Sequence, residues 1–240
     1  KFGGDITTGQ VISGSLALCR VPPSAWVGIR TVEISVDAGV VYTRSAIKFE
    51  YVAPILVKNI YVSSGPVAGG TLITVVGESF RGTAACYFGD RRAASTALRS
   101  STLISCTSPS RASEGVVKVQ IEDEAGHGHG SALFAYHNKL EVTSLYPSSG
   151  FIRAGNVVTV AGKHFVPAHL GCRVGSQNTQ EATWRSSTRM ECVVPATVEG
   201  NVTVEVSNNQ QDFSTSGLQF QTLDHPSGWV NIHPSKGPIQ

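Results

Sequence analysis

The cysteines at 86 and 172 lie 86 residues apart, and so do those at 106 and 192. Their surroundings repeat with them: Cys86-Tyr87-Phe88-Gly89 returns as Cys172-Arg173-Val174-Gly175, and Cys106-Thr107-Ser108-Pro109 as Cys192-Val193-Val194-Pro195. An earlier copy shows as Phe2-Gly3 and Cys19-Arg20-Val21-Pro22, with Gly3 86 residues before Gly89 and Cys19 87 before Cys106. A fixed period makes the repeat, rather than the full 240 residues, the folding unit. It predicts two whole units, 55–138 and 139–222, preceded by the later part of another (1–54) and followed by a linker and the first strand of a further one (223–240).

Within 1–54, residues 31–36 alternate, which predicts a half-buried strand with Val32, Ile34 and Val36 on one face. Asp37-Ala38-Gly39 reads as the turn and 47–51 as the returning strand of an antiparallel hairpin. The first whole unit opens with a strand at 55–61, then the turn clusters Ser63-Ser64-Gly65-Pro66 and Gly69-Gly70-Thr71. A strand at 72–76 is expected to end at Gly77, with Phe80 as a core plug. The Cys86 strand, 93–98, 103–106, 117–121 and 132–136 complete it. The second unit keeps this order, with Phe165 for Phe80, a strand at 202–206, and Thr222 where the earlier copies have Tyr51 and Tyr136. Ile232-His233-Pro234-Ser235-Lys236-Gly237 then matches Leu145-Tyr146-Pro147-Ser148-Ser149-Gly150.

About seven short strands per unit, turn signals roughly every 8 to 12 residues and no helical periodicity give an all-β class: tandem Ig-like β-sandwich modules with short linkers. The cysteines differ from an antibody's, because Cys86 and Cys106 are only 20 residues apart and Trp184 has no counterpart in the preceding copy. The repeat pairs Cys86 with Cys106 and Cys172 with Cys192, and leaves Cys19 for a partner upstream. Disulfides point to an oxidising compartment and contribute about 3 kcal/mol each in the loop-entropy picture. Reduced cysteines packed in the core are the alternative.

The ordered set Pro147-x-x-Gly150, Gly69-Gly70-Thr71-x-Ile73-x-Val75-x-Gly77-x-x-Phe80, Cys86-x-Phe88-Gly89, Cys106-x-x-Pro109 and Phe134-x-Tyr136 resembles the IPT/TIG domain, over essentially all of the chain. Val62 stands in place of a proline and Ala154-Gly155-Asn156 in place of Gly69-Gly70-Thr71. The resemblance implies the Ig-like fold shared by plexins, transcription factors and large cell-surface proteins. Adhesion, receptor, DNA-binding and enzyme-accessory roles all occur on it.

A net charge of +2 names no partner, and the densest basic spot, Arg91-Arg92, reads as a solvated turn rather than a nucleic-acid stripe. No apolar run is long enough to span a bilayer, so no direct membrane contact is expected within this stretch. Catalytic and phosphate-binding motifs are lacking, which predicts no enzyme activity and no cofactor. His127 and His129, beside Glu122-Asp123-Glu124, supply too few ligands for a zinc site, so a loop reading is preferred there. Trp229 is read as packing in a junction, with a partner anchor as the alternative. Asn201-Val202-Thr203 is an N-glycosylation sequon, and the period of two turns Asn201 to solvent, opposite Val202, Val204 and Val206.

These features lead to a non-catalytic segment of a large extracellular or cell-surface protein, a rod of modules serving as scaffold or adhesion surface, an extracellular filament included, whose loops and strand edges meet other chains or neighbouring modules. A receptor ectodomain stalk, a DNA-binding or dimerisation module, and a sugar-binding accessory region are the rival readings.

Overall fold

The computed structural model describes residues 1–224 except 83, 124–127, 129, 153, 154, 168 and 196–198, with the backbone alone at 178–181. Glu124, His127, His129, Trp229 and the strand expected near 232 fall outside the described residues. The chain divides into two compact units, Lys1–Pro54 and Ile55–Gln240.

Lys1–Pro54 holds two hairpins. Strands β1 (Gly9–Ser13) and β2 (Leu16–Cys19) pair antiparallel, as do β3 (Gly28–Val32) and β4 (Ile47–Tyr51). The strand expected over 31–36 ends at Val32, and Ile34 and Val36 are exposed rather than inward. The cause is Glu33. Its carboxylate accepts from the Thr43 hydroxyl at 2.6 Å, Ser45 N at 3.2 Å and Ala46 N at 3.0 Å, folding 33–46 into a loop around itself.

The first module of Ile55–Gln240 is a two-layer sandwich. One sheet runs β10 (Ser95–Ser100), β11 (Leu103–Thr107), β7 (Leu72–Glu78), β5 (Leu56–Tyr61). The other runs β6 (Ser64–Pro66), β13 (Ala132–His137), β12 (Gly115–Glu122), β8 (Ala85–Phe88), β9 (Arg91–Arg92). The inward positions of both faces, among them Ile73, Val75, Ile104, Val119, Ile121 and Phe134, form one core, as period-two alternation requires. Gly77 lies inside β7 instead of ending it. A Cβ there would stand 2.0 Å from the Leu56 oxygen and 2.5 Å from the Phe80 ring, so the glycine lets Phe80 close the core end. Gly162 and Phe165 repeat this arrangement, with Glu141 O at 2.1 Å from the added Cβ.

The second module has the same strands in one rolled sheet: β14 (Glu141–Tyr146), β16 (Asn156–Lys163), β19 (Arg189–Val194), β18 (Gln177–Ser186), β17 (Gly171–Val174), β20 (Gly200–Ser207), β21 (Gln219–Leu223), β15 (Ser149–Phe151). The difference is β18, which is unbroken where the first module splits into β9 and β10. Its first half pairs with β17 and its second with β19, so one strand carries the chain from layer to layer.

Candidate interaction surface at the module junction

The loop between β20 and β21 is built by two side chains. Buried Glu205 takes hydrogen bonds from the Ser214 and Ser216 hydroxyls and from Ser216 N and Gly217 N, the last at 2.8 Å. Asn209 Oδ1 accepts from the Ser207 hydroxyl and from Gln211 N and Asp212 N, at 3.0, 3.0 and 2.8 Å. Asn208 ties the loop to its own module, accepting from Val166 N and donating to His164 O.

The other end of Asn209 leaves that module. Its Nδ2 donates to the Ser64 carbonyl of the first module at 2.8 Å and to Asp212 Oδ2 at 2.7 Å. Asp212 Oδ2 also accepts from the Thr71 hydroxyl of the first module at 2.6 Å. The Gln211 amide, oriented to satisfy both of its ends, lies along the Leu72 backbone at 2.9 and 3.0 Å. Ser64 and Asn209 are both buried, which shields the bond between them from competing water, while Asp212 is half-buried and Gln211 and Leu72 are exposed.

The same loop frame stands in Lys1–Pro54. Glu33 and Glu205 lie 172 residues apart, as do Ser35 and Ser207, and Asp37 and Asn209. Asp37 accepts from the Ser35 hydroxyl and from Val41 N, which holds its carboxyl below the usual carboxylate range; the Thr43 hydroxyl does the same for Glu33. A cation stacks on the loop's aromatic ring in both copies, Lys1 Nζ 4.8 Å from the Tyr42 centroid and Arg173 Cζ 4.5 Å from that of Phe213. Open clefts lie beside these pairs, one lined by Arg173, Thr203 and Glu205, the other by Lys1, Glu33 and Tyr42. The carboxylates face loop donors, which suits them to hold loops in shape. In the first module the matching strand position is Gln120, opposite Tyr87 as Glu205 is opposite Arg173.

Cys172 and Cys192 are disulfide-bonded, Cα atoms 5.9 Å apart, joining β17 to β19 inside the core. Cys86 and Cys106, on the corresponding β8 and β11, differ from the expected bridge: they are buried, unbonded thiols. They lie within hydrogen-bonding reach, and that contact together with burial pushes the Cys86 thiol up. Placement on corresponding strands is therefore common to both pairs. Cys19 is exposed at the end of β2. Asn201 is exposed on β20 opposite Gln221. Arg91 and Arg92 are solvent-exposed, with Arg91 donating to the Ser110 carbonyl. No group of three or more His, Cys, Asp or Glu side chains placed to hold a metal occurs among the described residues.

Comparison with known proteins matches the family model "IPT/TIG domain" at residues 54–136 and 140–222. The chain belongs to the IPT/TIG family. Mouse Fibrocystin-L is 28% identical over 200 residues, covering 79% of this chain and 4% of that protein. Plexin-2 of Caenorhabditis briggsae is 30% identical over 108 residues, covering 44% of this chain and 6% of that protein. The chain thus spans only a small fraction of these relatives. Among solved structures, the plexin A4 full extracellular region matches with a TM-score of 0.54 and 16% identity, over 92% of this chain and 21% of that one. That likeness is one of fold. The docking loop was absent from the sequence expectations. Its signal was present, however, in Glu-x-Ser-x-Asp at 33–37 and Glu-x-Ser-x-Asn at 205–209.

Proposed function

We propose that this chain is a non-catalytic segment of a large extracellular or cell-surface protein, in which tandem modules serve as scaffold and protein-interaction surface. The observation that carries the reading is the junction itself. Asn209, Gln211 and Asp212 bond the second module to Ser64, Thr71 and Leu72 of the first, which suits a chain that must transmit position along its length. The Cys172–Cys192 disulfide and the likeness to a plexin extracellular region support an oxidising, extracellular setting. Residues 1–54 then form the later part of a module, 55–138 and 139–222 two complete ones, and 223–240 the approach to another. Cys86–Cys106 closes as a second bridge, Cys19 pairs upstream, and Asn201 carries an N-linked glycan. Partners meet the loops and the open strand edges, such as β5 and β14.

The likeness to plexins favours a receptor ectodomain stalk as the second reading over an adhesive filament. Mass spectrometry of the natively isolated protein, digested without reduction, tests the proposal. Linked Cys86–Cys106 and Cys172–Cys192 peptides with a glycan on Asn201 are expected. Free thiols and a bare Asn201 would overturn it and direct attention to duplex DNA, binding to which weakens with salt.

A further inference from the structure

Asn209 has two ends with two separate tasks. Oδ1 shapes its own loop, accepting from Ser207, Gln211 and Asp212, while Nδ2 reaches the Ser64 carbonyl of the neighbouring module. At the equivalent place Asp37 keeps the first task, accepting from Ser35 and Val41. A carboxylate has no donor for the second.

We propose that the loop between the last two strands is the element by which these modules recognise one another, and that the Asn209/Asp37 position selects the neighbouring end it accepts. With asparagine, the loop takes an end presenting a carbonyl and a hydroxyl, as Ser64 and Thr71 do. With aspartate, it takes the end of another IPT/TIG module that presents hydrogen-bond donors.

The rest of the loop changes in step. Gln211 and Asp212, which bond to Leu72 and Thr71, have Gly39 and Val40 at the 172-residue step, with Val41 following. Val36, Val40 and Val41 are 92%, 81% and 66% exposed, so the tip of the 35–41 loop is apolar where that of 207–212 is polar. Its occupant is accordingly a module end with apolar surface beside its donors. A module end fits better than an unrelated protein, because the same frame already holds one at 207–212. Polar pairing at one junction and apolar pairing at another would keep modules from stacking in the wrong order, since a buried carboxylate facing a carbonyl is strongly disfavoured.

The inference is independent of where the protein resides, so the disulfide and glycan map can fail without touching it. The test uses the full chain, isotopically labelled, with residual dipolar couplings measured for 55–138 and 139–222. One alignment tensor is expected to fit both modules of the unaltered protein. Asn209→Asp should keep the loop but lose the shared tensor, and Thr71→Val should weaken the coupling from the receiving side without altering the second module. Replacing 207–213 by the sequence of 35–42 preserves the frame and changes the docking groups, so it should also lose the shared tensor. A common tensor in Asn209→Asp, or in the loop replacement, would overturn the proposal. If Asn209→Asp unfolds the second module, Thr71→Val decides, and an unchanged tensor there overturns it.

Discussion

The Tyr136 hydroxyl donates to the Pro109 carbonyl at 2.9 Å, fastening the last strand of the first module to the end of its Cys-x-x-Pro segment. Tyr51 does the same to Pro22, also at 2.9 Å. The rings around them repeat as well: Phe88 meets Phe134 edge-on at 5.2 Å and Phe2 meets Phe49 at 5.3 Å. In the second module Thr222 replaces the tyrosine and bonds instead to the Gly200 carbonyl at 2.8 Å.

Tyr136→Phe should therefore lower the stability of the first module by about 1 kcal/mol, the usual net worth of a buried hydrogen bond, in denaturant unfolding. Burial also raises the Tyr136 hydroxyl to about 12, with Arg111 and Arg91 opposing. A group raised on folding favours the folded state below its unfolded value, and that advantage is lost as pH climbs through the folded one. Stability should fall between about 10 and about 12. Ultraviolet titration should show a late-ionising component that Tyr136→Phe removes.

Gly77→Ala and Gly162→Ala should each destabilise their own module by about 1–3 kcal/mol, the range for forcing atoms into a packed core. The added methyl meets a backbone oxygen as well as the end of a phenylalanine ring, and the backbone has little room to yield. Substituting Gly175, whose added Cβ meets nothing within 4 Å, isolates the penalty of its left-handed backbone alone. Calorimetric unfolding of the three variants separates the two effects.

How far the sequence carried is seen by setting Phe80 beside Glu33. Phe80 was identifiable because its role depends on what every sandwich core shares, an alternating strand and a small residue under an aromatic ring, and both recur at Gly162 and Phe165. The fate of 33–46 was hidden, because Glu33 sits in a run whose alternation favours a continuing strand. Only the side-chain bonds to Thr43, Ser45 and Ala46, ten to thirteen residues away, break that run. The junction was hidden for a related reason: Asn209 to Ser64 is a contact across 145 residues, and periodicity carries no information about which module ends meet. The cysteine placements followed from the repeat, whereas the bonding state of Cys86 and Cys106 depends on oxidant and not on spacing.

The Glu33 loop should be acid-sensitive. Bonding to Thr43 first, and to Ala46 and Ser45, holds its carboxyl below the ordinary 4.5. A group lowered on folding supports the folded loop above its unfolded value, and this support is lost as pH falls through the depressed one. Amide exchange at Ser45 and Ala46 should thus stay slow from neutral pH to 4.5 and quicken only below it, after allowance for intrinsic rates. Glu33→Gln should remove that acid step. An unchanged step in the variant would assign the loop's order to the backbone instead.

Removing the Cys172–Cys192 bridge by Cys172→Ala with Cys192→Ala should cost the second module about 3 kcal/mol, the loop-entropy value for a closure of this length. The bond joins strands of the two layers across a core in which both sulfurs are wholly enclosed, so small apolar replacements leave no polar group stranded. The same double change at Cys86 and Cys106 provides an internal comparison. Prepared under reducing conditions, that pair contributes packing alone, and its replacement should cost less than the second module's. Prepared under oxidising conditions, the two losses should converge if the facing thiols close. Equal losses under both conditions would show that packing, and not the covalent link, is what the paired positions supply.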